Sequence, residues 1–590
     1  MTPISSNDST TNRMNEWTVM FYFGSDDALS PLMVSQLKAI KDAGFQENTE
    51  VIVYFDASEK GVPTRLYNVN HARKALLPEG GRTQVGDGET SFVRNLAKDN
   101  IDPASLLDPK GLESTRPAAA EMFKCLKQPD SMPALQAFQT FLNYARENHP
   151  AKHYLLFLLG HGMIVGNDAF LPDEAPRSGI KLKDLGETLR KFCEPMEKGK
   201  ETLELLALHS CSMSAIEVAY ELQGTAKYMM ASEGVSFVGG WPYRQVLKKI
   251  FNTIREANSV PDAEPQYNVE ELLQKIYFLS LFCSTDFLLS GFSADLTLCN
   301  LDPRLIGKFK DAAGDEKGLG TKLIALVRKL KQGLENPKAT ELILLAHLKS
   351  QAYWNEMYAD LYDFCRCLEE GCLARQADYG ADLLLGAIAG ACKGVTDELK
   401  TTRANPFDRL VVFSEHFGPG YQYSHGLSVY FPWAKPFEDA NEKVLANYKD
   451  YIFTTQLKAE SKTADPKADD SWLSFLQLYF QKTKRVSRVE EDKDVQSKDT
   501  TDPAVGKDGL KLVAVAIAAV GTLEAKAVGS YEGKASGATG ASCGCPSVKN
   551  YSDFSISKAA ALAFSPDSDP RDIPESRSAR TPAASSAASS

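Results

Sequence analysis

A cysteine and a histidine each follow an apolar run whose composition is typical of a buried strand. Cys211 stands three residues after the run LELLAL, which begins at Leu203, and a helical pattern follows. His161 stands just past the run from Tyr154 to Leu159. Such positions lie at the carboxyl ends of strands, the edge where open α/β sheets form their sites. A thiol beside an imidazole can pass its proton to it, so the pair predicts a thiolate nucleophile and a general acid for the leaving group.

The connection between the two strands decides whether these residues meet. Between them, apolar residues recur at the spacing of one helix face: Leu182, Leu185, Leu189 and Phe192. A strand, a helix and a second strand form a crossover that makes the strands parallel, so both end at the same edge. We therefore expect His161 and Cys211 to be neighbours. Gly162 lets a substrate backbone approach closely and leaves an amide that can point at a developing oxyanion.

The composition limits the classes of function. The chain has 590 residues and a formal net charge of -11, which argues against a protein built to bind nucleic acid or an anionic membrane. Residues 1–17 are polar, and no apolar run reaches the roughly 18 residues of a membrane helix. The 11 cysteines are mostly scattered through apolar contexts, which is typical of a reducing compartment. We expect a cytoplasmic protein, and the sequence predicts no particular oligomeric state.

Four regions follow from the sequence pattern. Strands alternate with helices over residues 16–300, which predicts an α/β domain with a mostly parallel central sheet flanked by helices. Helical patterns dominate residues 301–483, an accessory region that we expect to pack on the first domain. Residues 1–15 and 484–590 have the composition of disordered ends. The apolar piece LKLVAVAIAAVG in the tail is a docking segment or an apolar patch without function, and the second interpretation is favoured.

Several ordered motifs resemble the clostripain family of cysteine peptidases, relatives of caspases, gingipains and legumain. The resemblance extends from Trp17 to about Phe480. Its most specific parts are WTVMFYFGSDDAL, HPAKHYLLFLLGHG, the segment from Leu203 to Tyr243 with EVAYEL, YMMASE and GGWPY, and the later pieces YADLYDF and HGLSVYFPW.

The resemblance implies a caspase-like fold and an endopeptidase that forms an acyl-enzyme. It assigns His161 and Cys211 as the catalytic dyad, with backbone amides near Gly162 and Cys211 as the oxyanion hole. The substrate would be a protein or peptide, cut after Arg or Lys in typical members. No organic cofactor is implied. Some relatives need calcium, but the acidic residues offered here show no EF-hand-like spacing, so calcium stays open: Asp26, Asp27, Asp168 and Asp173.

One position departs from the family pattern. Typical members carry an aspartate two residues before the nucleophile, where it helps a basic P1 side chain to bind, and this chain has His209. An imidazole offers little negative charge, so basic specificity and another specificity are equally open. Glu233 could supply a replacement carboxylate, with Asp168 and Asp173 as weaker candidates. Trp241 is either a wall of the substrate pocket or a loop anchor.

The segment between the histidine and cysteine strands suggests self-cleavage. Many relatives mature by a cut in this segment, and here it contains Arg177 and Lys181 among Pro, Ser and Gly residues, a composition suited to exposure. We expect cleavage after one of these two basic residues.

Other interpretations use the same residues differently. A catalytically silent scaffold would bind partners through the C-terminal region, and an acyl transferase would use the same thioester. The spacing CRCLEEGC at Cys365, Cys367 and Cys372 suggests a metal site, but no histidine or second cysteine pair completes a zinc set. Core thiols are the favoured interpretation, and no metal is predicted.

Overall fold

The structure describes part of the chain. The computed structural model describes residues 14–24, 33–56, 65–68, 126–127, 132–162, 170–196, 201–258, 266–284 and 292–483, with short gaps inside 33–56, 170–196 and 292–483. The predicted disordered tail, residues 484–590, lies outside the described residues, as do residues 1–13 and most of residues 80–133. All described residues belong to one compact unit.

Strands of the first half form most of the main sheet. In chain order they are β1 (Asn15–Gly24), β2 (Thr49–Phe55), β3 (Arg65–Asn68), β4 (Leu126–Lys127), β5 (Ala151–Gly160), β6 (Phe170–Glu174), β7 (Arg177–Ile180), β8 (Thr202–His209), β9 (Tyr228–Ala231) and β10 (Ala294–Asn300). Later strands are β11 (Phe309–Lys310), β12 (Glu316–Lys317), β13 (Ala352–Tyr353), β14 (Tyr358–Asp360), β15 (Val411–Phe417) and β16 (Ser428–Tyr430).

Helices cover both faces of the sheet. The first half contains α1 (Ala134–Asn148), α2 (Leu182–Cys193), α3 (Ile216–Leu222), α4 (Tyr243–Ala257) and α5 (Val269–Ser284). The second half contains α6 (Pro303–Ile306), α7 (Leu319–Gly333), α8 (Pro337–Lys349), α9 (Leu361–Tyr379), α10 (Leu383–Leu399), α11 (Val444–Tyr448), α12 (Ile452–Ser461) and α13 (Trp472–Thr483).

Within the described residues, nine strands make one sheet in the order β15-β10-β9-β8-β5-β1-β2-β3-β4. The five central strands, from β9 to β2, run parallel, and the outer pairs are antiparallel. Parallel strands are buried on both faces and therefore read as continuous apolar runs, as in TVMFYF of β1 and YLLFLL of β5. The predicted class is confirmed: an α/β fold with a mostly parallel sheet between helices.

The two faces of the sheet bury different helices. Side chains alternate along β1, so that Met20 and Tyr22 face one core and Phe21 and Phe23 face the other. Helices α1, α2 and α3 cover the first face. Helices α4 and α5 cover the second face, together with Met33, Leu37 and Ile40 from the helical segment that follows β1. The predicted face of α2 is confirmed, since its four apolar residues are all buried.

The C-terminal region is mainly helical and joins the main sheet. Strand β15 pairs antiparallel with β10, so residues 411–417 form the edge of the same sheet that carries β5 and β8. Strand β16 lies beside the start of α3, where Ser428 N–H donates to the Ser214 carbonyl over 3.0 Å. The boundary at residue 300 remains a prediction of the sequence. Among the described helices, none combines the length and the apolar character needed to cross a bilayer.

Candidate active site

The register of β5 and β8 brings the predicted pair together. The strands run parallel, and Leu159 pairs with His209. His161 and Cys211 each stand two residues further on, so they are level at the carboxyl edge of neighbouring strands. Both also continue the alternation of the strand positions that face the α4 and α5 side, such as Leu159 and Ala207.

Gly162 lies directly against the backbone of Cys211. A Cβ atom built at Gly162 would overlap the Cys211 carbonyl oxygen and come 2.8 Å from the Cys211 nitrogen. Only a residue without a side chain fits this approach. The segment that carries His161 is therefore in contact with the backbone of the predicted nucleophile. The His161 carbonyl in turn accepts a hydrogen bond of 3.2 Å from Leu171 N–H, which ties the end of β5 to β6.

Cys211 lies in a tight turn between β8 and α3. The next residue, Ser212, has a positive φ of 56°, which is uncommon for a residue with a side chain. Ser212 N–H donates to the Gly234 carbonyl over 2.9 Å, and Ser214 N–H donates to the Ser232 carbonyl over 2.9 Å. The segment after β9 thus fixes the turn on both sides of its bend, and offsets the cost of the strained conformation.

The sulfur of Cys211 is covered by the same segment. Its side chain is 4% exposed, Ser236 N–H donates to Sγ over 3.4 Å, and the thiol donates to the Ser236 carbonyl over 3.6 Å. Burial raises the pKa of the Cys211 thiol to about 11, and the nearby Asp295 carboxyl also raises it, whereas the contacts with Ser236 lower it. In this arrangement the thiol is neutral at physiological pH, so a proton acceptor and access for substrate are needed before it can attack.

His209 is a buried and neutral residue. It is 1% exposed, its Nε2–H donates to the Phe237 carbonyl over 2.6 Å, and its Nδ1 accepts from the Tyr243 hydroxyl over 2.7 Å. Burial lowers the pKa of His209 to about 3, although the bond to Phe237 opposes the shift. Both ring nitrogens are used within the protein. The position that carries an acid in typical family members therefore has no charge here.

Trp241 serves as a partner of His209. The two rings stack with centroids 4.4 Å apart and an angle of 5° between their planes, and Trp241 is buried. Its ring also meets Phe157 of β5 edge-on. These contacts favour the loop-anchor interpretation of Trp241 over the pocket-wall interpretation.

Glu233 does not face the sulfur in this arrangement. Its side chain is fully buried, and its Oε2 accepts from Gly426 N–H over 2.9 Å and from the Tyr353 hydroxyl over 3.2 Å. Burial, together with the Asp360 and Asp295 carboxyl groups, raises the pKa of Glu233 well above its ordinary value. A fully buried carboxyl group with these partners is not placed to contact a basic P1 side chain, so the geometry does not favour the replacement role predicted from the sequence.

The remaining predicted residues lie on β6, on β7, just before α2 or outside the described residues. Asp173 is buried on β6, close enough to Tyr22 of the opposite sheet face to raise the pKa of that phenol. Asp168 lies outside the described residues. Arg177 begins β7 and pairs with Glu174 of β6, whereas Lys181 is exposed and immediately precedes α2.

The cysteine motif of the C-terminal region packs in the core. Cys365 and Cys372 of α9 are buried, and Cys367 is half-buried. Among the residues that the structure describes, no group of three or more His, Cys, Asp or Glu side chains could hold a metal ion.

Sequence reasoning missed three residues that shape the site. Ser236 contacts the sulfur, Asp295 accepts from the N–H groups of Glu233 and Gly234 at 2.6 and 2.9 Å, and Tyr421 accepts from Val235 N–H at 3.1 Å. No local signal could reveal them, because two of these partners come from positions more than 60 residues away along the chain.

This geometry defines the class of protein: an α/β fold with a cysteine and a histidine at the ends of adjacent parallel strands. Residues 22–269 match the model of the clostripain family. Clostripain from Hathewaya histolytica is 20% identical over 273 residues, which cover 41% of this chain and 43% of that protein. The chain thus matches less than half the length of this curated relative.

Two solved structures are also similar. One is an inactive zymogen C11 protease from Parabacteroides distasonis, with 16% identity, a TM-score of 0.39, and coverage of 75% of this chain and 99% of that one. The other is a secreted C11 cysteine protease from Bacteroides thetaiotaomicron in complex with an irreversible peptide inhibitor, with 13% identity, a TM-score of 0.38, and coverage of 74% and 97%.

Proposed function

We propose that the chain is a cysteine endopeptidase with Cys211 as nucleophile and His161 as general base and acid. The observation that carries the proposal is the β5–β8 register, in which Leu159 pairs with His209 two residues before each member of the pair. The close contact of Gly162 with the Cys211 backbone supports it, and so does the clostripain-family match.

The proposed reaction has two halves. His161 takes the thiol proton as Sγ attacks the peptide carbonyl carbon, and gives that proton to the leaving amine as the C–N bond breaks. The resulting thioester is hydrolysed by a water molecule that His161 deprotonates, and Cys211 leaves as the thiol. Backbone amides near Gly162 and Cys211 stabilise the oxyanion in both halves. Because Ser236 contacts Sγ in the described arrangement, substrate binding has to displace this contact.

A peptide library tests the activity and the P1 preference together. The purified protein is incubated with the library, with and without calcium, and a thiol-reactive peptidyl probe is mapped by mass spectrometry. We expect cleavage and a single labelled cysteine, Cys211. Absence of both under every condition favours the silent scaffold, and product transfer to an added amine favours the acyl transferase. The cytoplasmic location stays a prediction of the sequence.

We further propose that uncharged P1 residues are bound at least as well as Arg or Lys. The support is the neutral His209, both of whose nitrogens are already hydrogen bonded. His209→Asp is expected to raise kcat/KM for Arg or Lys at P1, relative to an uncharged P1, by roughly 10-fold to 100-fold, because a hydrogen bond between charged groups contributes about 1.5–3 kcal/mol. Paired fluorogenic substrates that differ only at P1 provide the measurement.

His209→Asn is the matched control for this change. It has nearly the size of aspartate but carries no charge, so its P1 preference is expected to follow that of the native chain. Thermal unfolding of both variants measures how much stability is lost with the contacts to Tyr243 and Phe237. A native chain that already prefers Arg or Lys strongly would show that another carboxylate serves the P1 pocket.

We also propose self-cleavage between β5 and β8, at the bond after Lys181. Arg177 is paired within the β6–β7 hairpin, which would have to open first, whereas Lys181 is exposed. The bond belongs to the same chain, and its high effective concentration offsets a weak contact at P1. Lys181→Ala is expected to leave a single intact band on a denaturing gel, and Arg177→Ala is expected to be cut like the native chain. The opposite pattern would assign the cut to Arg177.

A further inference from the structure

Three carboxyl groups are buried together behind the segment that covers Cys211. Glu233 follows β9, Asp295 lies at the start of β10, and Asp360 ends β14. All three side chains are buried, although charged carboxylates are costly to bury unless they are paired. The proposed mechanism uses none of them.

Asp295 and Asp360 are satisfied by backbone N–H groups. Asp295 accepts from Glu233 N–H at 2.6 Å and from Gly234 N–H at 2.9 Å. Asp360 accepts from Asp363 N–H at 2.6 Å and from His425 N–H at 2.5 Å. For Asp295 these bonds oppose the rise in pKa that burial causes, but burial has the larger effect.

Glu233 is different, because only one of its oxygens has a donor. Oε2 accepts from Gly426 N–H and from the Tyr353 hydroxyl, whereas Oε1 is buried without a donor. The Glu233 and Asp360 carboxyl groups are neighbours, because the adjacent backbone N–H groups of Gly426 and His425 donate to Glu233 and to Asp360. Burial and the nearby Asp360 carboxyl raise the pKa of Glu233. Two carboxylates cannot form a hydrogen bond with each other, but a carboxylic acid and a carboxylate can.

The segment that Glu233 begins is tied to the predicted nucleophile. Gly234 accepts from Ser212 N–H at 2.9 Å, and Ser236 N–H donates to the Cys211 sulfur at 3.4 Å. A side chain at Gly234 would overlap the ring of Tyr421, so the segment is also enclosed from the C-terminal region. Movement of Glu233 would therefore be transmitted to the turn that carries the thiol.

We propose that Glu233 is a positioning residue that acts as a neutral acid: it donates its proton to Asp360 and thereby holds residues 233–236 against Cys211. The role in activity rests on the proposed peptidase function, whereas the shared proton does not. Loss of the proton at alkaline pH leaves two facing carboxylates, whose repulsion separates the segment from β14.

Other titratable groups face this pair from the surrounding elements. They are Asp295 of β10, Tyr353 of β13, His425 before β16, Tyr421, Cys299 and Cys211. Burial raises the pKa of Asp295 to about 7, so this group can also hold a proton near neutral pH. The test therefore has to isolate the proton of Glu233.

Glu233→Gln reproduces the proposed neutral acid. Its amide can donate to Asp360 while its oxygen accepts from Gly426 and Tyr353, and it cannot ionise. We expect kcat within about twofold of the native chain at pH 6–7 and activity that persists to higher pH than in the native chain. Glu233→Leu fills the space without hydrogen bonds and is expected to lower kcat by about 10-fold or more. If kcat falls at the same alkaline pH in the native and Glu233→Gln proteins, the positioning role is overturned.

Infrared spectroscopy tests the proton without any activity. The native protein is expected to show the C=O stretching band of a buried, protonated carboxyl group that is missing in Glu233→Gln, and the difference spectrum removes the contribution of Asp295. If the Glu233→Gln spectrum keeps this band, the proposal is overturned even for an active peptidase. A band that disappears when calcium is added would instead identify a cation site. If the band is present in the native protein and missing in Glu233→Gln, but the native protein cuts no peptide, the shared proton stands and only the peptidase function is refuted.

The pH dependence of unfolding gives a second independent readout. Folded Glu233 keeps its proton at pH values where an ordinary glutamate has lost it, so stability falls as the pH rises from the ordinary pKa towards the raised one. Glutamine has no such proton to lose. The melting temperature of the native chain is therefore expected to fall relative to that of Glu233→Gln by about 2 °C or more between pH 5 and pH 8. A constant difference over this range would contradict the raised pKa.

Discussion

Replacement of Cys211 by alanine is expected to abolish peptide hydrolysis, with a fall in kcat/KM of about 10⁴-fold or more. The thiol supplies the atom that forms the acyl-enzyme, and the backbone N–H and carbonyl of Ser236, which contact Sγ, are not nucleophiles. Initial rates on the best peptide of the library provide the measurement. Removal of the buried sulfur leaves a small cavity, so the variant should unfold somewhat below the temperature of the native chain, and its rates are measured well below that temperature.

His161→Ala is expected to reach a similarly low rate. Residues that act as one catalytic unit lose their effect together, so the double variant Cys211→Ala/His161→Ala should be about as inactive as either single variant. If the two losses multiply instead, His161 acts independently of the thiol. Such a result would contradict the role of His161 as the base for Cys211.

Cys193→Ala is the control for the loss of a thiol as such. Cys193 is half-buried at the end of α2, where its thiol donates to the Thr225 carbonyl over 2.9 Å. It packs on the sheet face that α1, α2 and α3 cover, which is opposite to the face of Cys211. We expect full activity from this variant. Hydrolysis retained by Cys211→Ala, or lost in Cys193→Ala, would remove Cys211 from the proposed mechanism.

The central sheet could be predicted because its signals are local. Runs such as YLLFLL of β5 are continuous and apolar, since strands buried on both faces have no polar side. The spacing of Leu182, Leu185 and Leu189 marked the face of α2. Those patterns were enough to predict a parallel crossover, and with it the shared edge on which His161 and Cys211 stand.

The surroundings of Cys211 could not be predicted, because they depend on contacts between distant parts of the chain. Glu233 follows a strand in a polar segment, which is typical of an exposed loop, but Tyr353, Asp360 and Gly426 bury it. The motifs YADLYDF and HGLSVYFPW supply the last two of these residues. Their positions in the sequence gave no sign that they meet behind the nucleophile.

His209 shows the same limit on a smaller scale. Alternation along β8 correctly put it on the face of Cys211, but the state of its imidazole depends on Phe237 and Tyr243. A histidine with one free nitrogen could still serve a substrate, whereas one with both nitrogens engaged and its ring stacked on Trp241 is fixed in place. Hydrogen-bond saturation is a property of the folded chain and has no sequence signature.

Gly162→Ala is expected to lower kcat/KM by about 100-fold, since a misplacement of roughly 1 Å at reacting groups has an effect of this size. The added Cβ would overlap the Cys211 carbonyl oxygen, which belongs to the backbone and cannot rotate away. Either the end of β5 or the turn at Cys211 must shift, and the His161–Cys211 geometry shifts with it. Overpacking of this kind also costs about 1–3 kcal/mol of stability. Activity is therefore measured well below the melting temperature of the variant.

Gly390→Ala provides the matched control, because it adds the same methyl group where space is open. Gly390 lies inside α10, and a Cβ there has no neighbour within 4 Å. Alanine is favoured over glycine inside a helix by about 0.5–1 kcal/mol, so this variant should unfold at a slightly higher temperature and keep full activity. The amide of residue 162 is present in both variants, so a loss confined to Gly162→Ala reports on position and not on a missing hydrogen-bond donor. Normal activity in Gly162→Ala would mean that the close approach of this residue to Cys211 is not required for catalysis.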